Sequence, residues 1–213
     1  MYQHGENLRL LDERSIFIDE RAVIGNNVTI YENNRIEGAC VIGDGVTLLP
    51  GNYIKDTKIG ERTTFNASQA ESSSVGSDVS VGPYAHLRPH SEICDGAKIG
   101  NFVEIKNAKI GEGSKVSHLA YGGDAGIGKG CNIGCGAIFV NYNGKSKSRT
   151  VVGDNCFIGS NCNVIAPVTV EKNSYICAGT TVSADVSEGD FVIGRARQEV
   201  KPERAYKYLK EIY

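Results

Sequence analysis

The sequence predicts an all-β fold, a parallel β-helix, and three features predict it. An aliphatic residue returns at every sixth position, glycine follows many of those aliphatics, and a small residue sits two positions before them. Ile18, Ile24, Ile30, Ile36, Ile42, Leu48 and Ile54 keep the spacing of six without a slip. The register resumes at Val81, Leu87, Ile93, Ile99 and Ile105, and again at Val152, Ile158, Val164, Val170, Ile176 and Val182. A helix with 3.6 residues per turn would carry such a series around its whole surface. Six is even, so in extended chain the aliphatics all point the same way. With a turn after each one, three hexads close a three-sided coil, and residues about eighteen apart stack into ladders. From Ile18 to Val182 this gives roughly nine coils, or about 43 Å at about 4.8 Å per coil.

The elements follow in chain order. Residues 1–15 precede the regular hexads and read as an N-terminal cap, residues 16–198 as the β-helix, and residues 199–213 as a short C-terminal helix. In that last segment, "KPERAYKYLKEIY", Pro202 suits a first helical turn, and Ala205, Tyr208, Leu209 and Ile212 share one helical face. Cys40, Cys131, Cys156 and Cys162 fall in the small inward slot and are expected to be buried filler. Cys94, Cys135 and Cys177 lie outside it.

Composition excludes several classes of function. With 23 Lys+Arg against 25 Asp+Glu, a net charge of −2 offers no electrostatic attraction to nucleic acid or to an anionic membrane. The N-terminal stretch "MYQHGENLRLLDERSIF" has no apolar core, and no run of eighteen apolar residues occurs, so a cytoplasmic protein is expected. Seven cysteines without a C-x-x-C pair suit a reducing compartment.

Function is expected where the repeat departs from itself. Between Val116 and Ile127 the aliphatic step is eleven, and "SHLAYGGDAG" places His118 and Tyr121 in the gap. From Phe139 to Val152 the thirteen-residue step carries a polar, basic middle, "NYNGKSKSR", which reads as an extruded loop. Arg88 and Lys106 are eighteen apart, so one coil stacks them. Two stacked cations repel unless an anion lies between them, which points to a phosphate or carboxylate ligand, or else to neutralisation by Glu104 on a solvated face. A metal held by His86, His90 and His118 is the competing use of the histidines, but the offsets of His86 and His90 turn them outward, and no metal site is assigned.

The ordered segments "VGPYAHLRP", "IGNFVEIKNAKIGEGSKVSHLAYGGDAGIG", "NIGCGAIFVNYNG", "IGSNCNVIAPVTV" and "AGTTV" resemble the acetyltransferase half of bacterial bifunctional N-acetylglucosamine-1-phosphate uridyltransferase/glucosamine-1-phosphate acetyltransferases. The resemblance runs from about Ser15 to Gln198. It implies a left-handed β-helix, a hand that the spacing itself does not give, and a homotrimer with active sites between subunits. It further implies that His118 is the general base, and that Arg88, Lys106, Tyr121 and Asn132 hold an aminosugar phosphate. Glu104 belongs with these, and Lys147 of the extruded loop is expected to reach in from a neighbouring subunit. Cys135, Asn141, Tyr142, Ser160, Ala178 and Arg195 would line an acetyl-CoA groove. Departures from the family's pattern are Cys135 for the common alanine, Asn143 for the usual aspartate, and the variation after Tyr121.

The chemistry implied is transfer of acetyl from acetyl-CoA to the amine of glucosamine 1-phosphate. Imidazole exchanges protons near neutral pH and suits removal of the amine proton during attack. Glu104 would orient it, backbone N–H groups near Cys135 would meet the oxyanion, and the thioester needs no metal. The family's nucleotidyltransferase half has no counterpart in these residues, so the chain is expected not to make UDP-sugars, and a separate uridyltransferase is a candidate partner. Galactosamine 1-phosphate or another nucleotide sugar as acceptor, and a non-catalytic scaffold, are the alternative readings.

Overall fold

A computed structural model describes residues 2–209. The chain winds as a three-sided parallel β-solenoid. One face is a ten-stranded parallel sheet running from Gln3–His4 to Val168–Val170, each strand pairing with one a full coil later, as Val23↔Val41 and Glu92↔Lys109. The second face begins at Arg9–Leu10 and the third at Phe17–Ile18. These two merge into one nineteen-stranded sheet because two strands of nine residues, Lys98–Lys106 and Lys115–Gly123, run through the corner that elsewhere separates the faces.

The hexad aliphatics all point inward. Ile24, Ile30, Ile36, Ile42, Leu48 and Ile54 are fully buried, and Phe65 and Phe139 fill the same position in their coils. Cys40, Cys131, Cys156 and Cys162 are buried and free, and burial pushes their thiols up, which keeps them protonated and inert. Cys177 is buried as well. Among the described residues, no helix is long and apolar enough to cross a membrane.

The solenoid starts earlier than the hexads. Gln3–His4 and Arg9–Leu10 pair in parallel with Val23–Ile24 and Thr29–Ile30, so most of residues 1–15 already form a coil. The ladder needs only backbone partners, such as Gly5 N–H donating to Ile24 O at 2.8 Å, and Tyr2, Leu8, Leu10 and Ile16 close its end in place of regular aliphatics. At the other end, where a helix was expected over 199–213, the described residues form one exposed 3-10 turn, Arg204–Lys207. Ala205, Tyr208 and Leu209 are exposed, and so short a helix is not stable without packing. Ile212 lies outside the described residues.

Nor does the coil break between Val116 and Ile127. Gly122 is in register with Ile105 and buried, so the inward slot is kept and the aliphatic is simply missing from it. A Cβ on Gly122 would stand 3.0 Å from Ile105 Cδ1.

Candidate active site

The third face gathers the cations. Its register places His86 opposite Glu104 and Leu87 opposite Ile105, so Arg88 stacks on Lys106 as their spacing requires, and Glu104 is followed by Tyr121. Arg88 donates to Glu104 Oε1 at 2.8 Å, and that carboxylate raises the guanidinium's pKa. Glu104 therefore serves Arg88; its ladder neighbours are His86 and Tyr121, whereas His118, the imidazole it was expected to orient, pairs with Asn101. Tyr121 lies over Gly123, where a Cβ would stand 2.3 Å from the phenol oxygen. Gly123 is itself in register with Lys106, so the hydroxyl is aimed at the cation column.

Lys147 joins this column within its own chain. It sits beside Lys106, and that contact, ahead of burial and of Arg88, lowers the Lys106 ammonium below the ordinary lysine range. The extruded loop is a hairpin that folds back: Tyr142 bridges Lys147 in antiparallel fashion, and Ser148 N–H donates to Asn141 O at 2.9 Å. Asn143 Oδ1 turns the tip by accepting from Lys145 N–H at 2.9 Å and Ser146 N–H at 2.8 Å.

His118 is exposed at the corner between the second and third faces, paired with Asn101. It directly precedes Leu119, which has positive φ, as do Gly136, Asn161 and Gly179 at the same corner of the next coils. His118, Cys135, Ser160 and Ala178 therefore occupy one column, one residue per coil, about 14 Å long at about 4.8 Å per step. Arg195 Nη1 donates to Ala178 O at 2.6 Å and closes its far end. The column begins with the candidate base and continues through most of the residues assigned to the acetyl-CoA groove.

Two sets fall elsewhere. Asn132 is on the second face, in register with Lys115 and Phe157, away from the cation column. Asn141 and Tyr142 stand at the opposite corner of the third face, about 20 Å of extended chain from His118 when six residues are counted to Asp124. The histidines do not converge: His86 is on the third face, and His90, with φ of 65°, stands at a corner in the column of Asn107 and Asp124. Among the described residues no group of three or more His, Cys, Asp or Glu side chains is placed to hold a metal ion.

Asp124 escaped the sequence reading. It accepts from Asn107 Nδ2 at 2.6 Å and from Asn141 Nδ2. Partial burial opposes its charge, but those bonds and the nearby Lys147 and Lys106 outweigh it and hold the carboxyl below its usual range. The signal available was "YGGD", an acid directly after the glycines that replace the expected aliphatic.

A three-sided coil with a six-residue period, bearing a polar site on one face, defines the hexapeptide-repeat class of transferase scaffold. The chain belongs to the bacterial transferase hexapeptide family: residues 21–56 and 72–107 match its six-repeat unit, and residues 149–184 match the hexapeptide repeat of succinyl-transferase. It is 46% identical over 211 residues to the bifunctional protein GlmU of Clostridium novyi (strain NT), covering 98% of this chain and 46% of that protein. The GlmU protein of Listeria monocytogenes serovar 1/2a is 47% identical over 192 residues, 90% of this chain and 42% of that protein. The chain thus spans a little under half the length of these curated relatives. Among solved structures, an Arabidopsis UDP-N-acetylglucosamine acyltransferase superposes with a TM-score of 0.62 at 20% identity, covering 84% of this chain and 69% of that one, which shows a shared fold.

Proposed function

We propose that the chain transfers the acetyl group of acetyl-CoA to the amine of an aminosugar 1-phosphate, glucosamine 1-phosphate in the first instance. One observation carries this reading: Arg88, Lys106 and Lys147 converge on a single face beside Tyr121, with the His118 column along its edge. Three cations gathered on one face suit a phosphate dianion. The likeness to the GlmU proteins supports the same assignment. In the reaction the amine nitrogen forms a bond to the thioester carbonyl as His118 takes the amine proton. The carbon–sulfur bond then breaks, and the proton held by the imidazolium goes to the departing thiolate. Acetyl-CoA is a cosubstrate, extended along the column of Cys135, Ser160 and Ala178, and no step is routed through a metal.

The assembly we propose is a symmetric trimer. One chain does not bring Asn132 to the cation column, nor Asn141 and Tyr142 to the His118 corner, and a neighbouring prism set against the third face would supply what is missing. The deciding experiment is thiol release from acetyl-CoA with glucosamine 1-phosphate, galactosamine 1-phosphate or unphosphorylated glucosamine as acceptor. Release is expected with the glucosamine phosphate and at least tenfold less without the phosphate group, on the scale of a lost charge-assisted hydrogen bond. Equal rates with and without phosphate would refute the role given to the cations, and no release with any acceptor would refute the reaction.

A further inference from the structure

The extruded hairpin leaves the coil after Asn141 and rejoins it at Thr150, and both ends of that neck meet on one residue. Asn141 Nδ2 donates to Asp124 Oδ2, and Thr150 N–H donates to the Asp124 carbonyl at 3.2 Å. The other carboxylate oxygen is fixed by Asn107 Nδ2 at 2.6 Å. Asp124 is tied by its own N–H to Lys106 O at 2.9 Å, so the clasp is joined to the strand that carries the phosphate-side lysine. Lys106 and Lys147 both lie within the electrostatic reach of this carboxylate. Of the other carboxylates on this face, Glu104 is engaged by Arg88, and Glu71 stands opposite Arg88 one coil earlier.

From this geometry we infer that Asp124 is a positioning residue, one that clasps the neck of the hairpin and thereby fixes the loop that carries Lys147 before any ligand arrives. It touches neither the reacting nitrogen nor the thioester, and it acts through Asn141 and Lys147. The substrate part of this inference rests on the proposed aminosugar-phosphate reading, whereas the clasp itself does not.

The test is Asp124→Asn, which keeps the size of the side chain and suits the φ of 47° at this position, since Asn and Asp both enter the left-handed region readily. The backbone bond from Thr150 survives. An amide cannot accept through both atoms, so one of the bonds from Asn107 and Asn141 is lost. In the ligand-free protein, hydrogen exchange over residues 141–149 is expected to quicken about tenfold, while the coils keep their protection. Inorganic phosphate should bind more weakly, and the KM for glucosamine 1-phosphate should rise about tenfold with kcat changed less than threefold. If Asp124 only neutralised charge, its removal would leave the face more positive and tighten phosphate binding. Tighter phosphate binding, or unchanged exchange in the hairpin, overturns the clasp. If the native protein acetylates no aminosugar phosphate, the proposed function fails while the exchange measurement still decides for or against Asp124.

Discussion

At the scale of single residues, the site combines positions that arithmetic fixes with positions that only the folded chain shows. Arg88 and Lys106 were legible because one coil is three hexads, and the register makes them neighbours. The loop that carries Lys147 was legible as an extrusion, but its hairpin shape was not, because the turn is made by the Asn143 side chain accepting from Lys145 and Ser146 N–H. Gly123 was read as part of a gap, yet its missing side chain is what seats Tyr121. Substituting Gly123→Ala is therefore expected to push the phenol off the cation column and to raise the KM for the aminosugar phosphate several-fold, with the melting temperature nearly unchanged. A variant with native KM would show that Tyr121 reads nothing at that position. His118→Ala should lower kcat by roughly 100-fold or more, the usual scale of general-base catalysis, while acetyl-CoA still binds by calorimetry. Native turnover in a folded His118→Ala protein would remove the histidine from the mechanism.

At the scale of the repeat, the corners bordering the first face share a device that the sequence reading passed over. A carboxylate of one coil accepts the backbone N–H of the coil before it: Asn26 N–H to Asp44 at 2.7 Å, Ser77 N–H to Asp95 at 2.8 Å and Lys129 N–H to Asp154 at 2.9 Å. The signal lies in pairs such as "GD" after the hexad aliphatic. These bonds hold the Asp44 carboxyl below its usual range, chiefly through Asn26 N–H, while Arg62 does the same for Asp78, and Arg21 holds Asp19 far below it. A carboxylate whose pKa is lower in the folded than in the unfolded state stabilises the fold above the unfolded value, near 4, and loses that contribution as pH falls through the folded value. The melting temperature is thus expected to be level from pH 7 to about pH 5 and to fall below about pH 4. Asp44→Asn should make that fall shallower. A melting temperature that stays level to pH 3 would mean that the corner carboxylates contribute nothing charge-dependent.

On the scale of the whole molecule, the hexads were enough to read a parallel solenoid of about the right length, because each aliphatic that points inward must meet another one coil away. The ends were not legible in the same way. Backbone pairing extends the coil to Gln3 without an aliphatic repeat, and the described C-terminal residues form one exposed 3-10 turn. Assembly was legible only through resemblance. Arg88, Lys106 and Lys147 stand on one face of one chain, whereas Asn132 stands on another face. In the proposed trimer, a complete site takes the cations from one prism and Asn132 from its neighbour. Mixing chains after dissociation and reassembly separates the two arrangements. Lys106→Ala chains mixed with Asn132→Ala chains should recover part of the native activity, because some mixed sites pair intact cations with an intact Asn132. Lys106→Ala chains mixed with Lys147→Ala chains should recover none, because every cation column then lacks one lysine. Recovery in the second mixture would place Lys147 across the subunit boundary after all. Failure of the first, with mixed trimers verified by mass, would mean that Asn132 acts within its own chain or not at all.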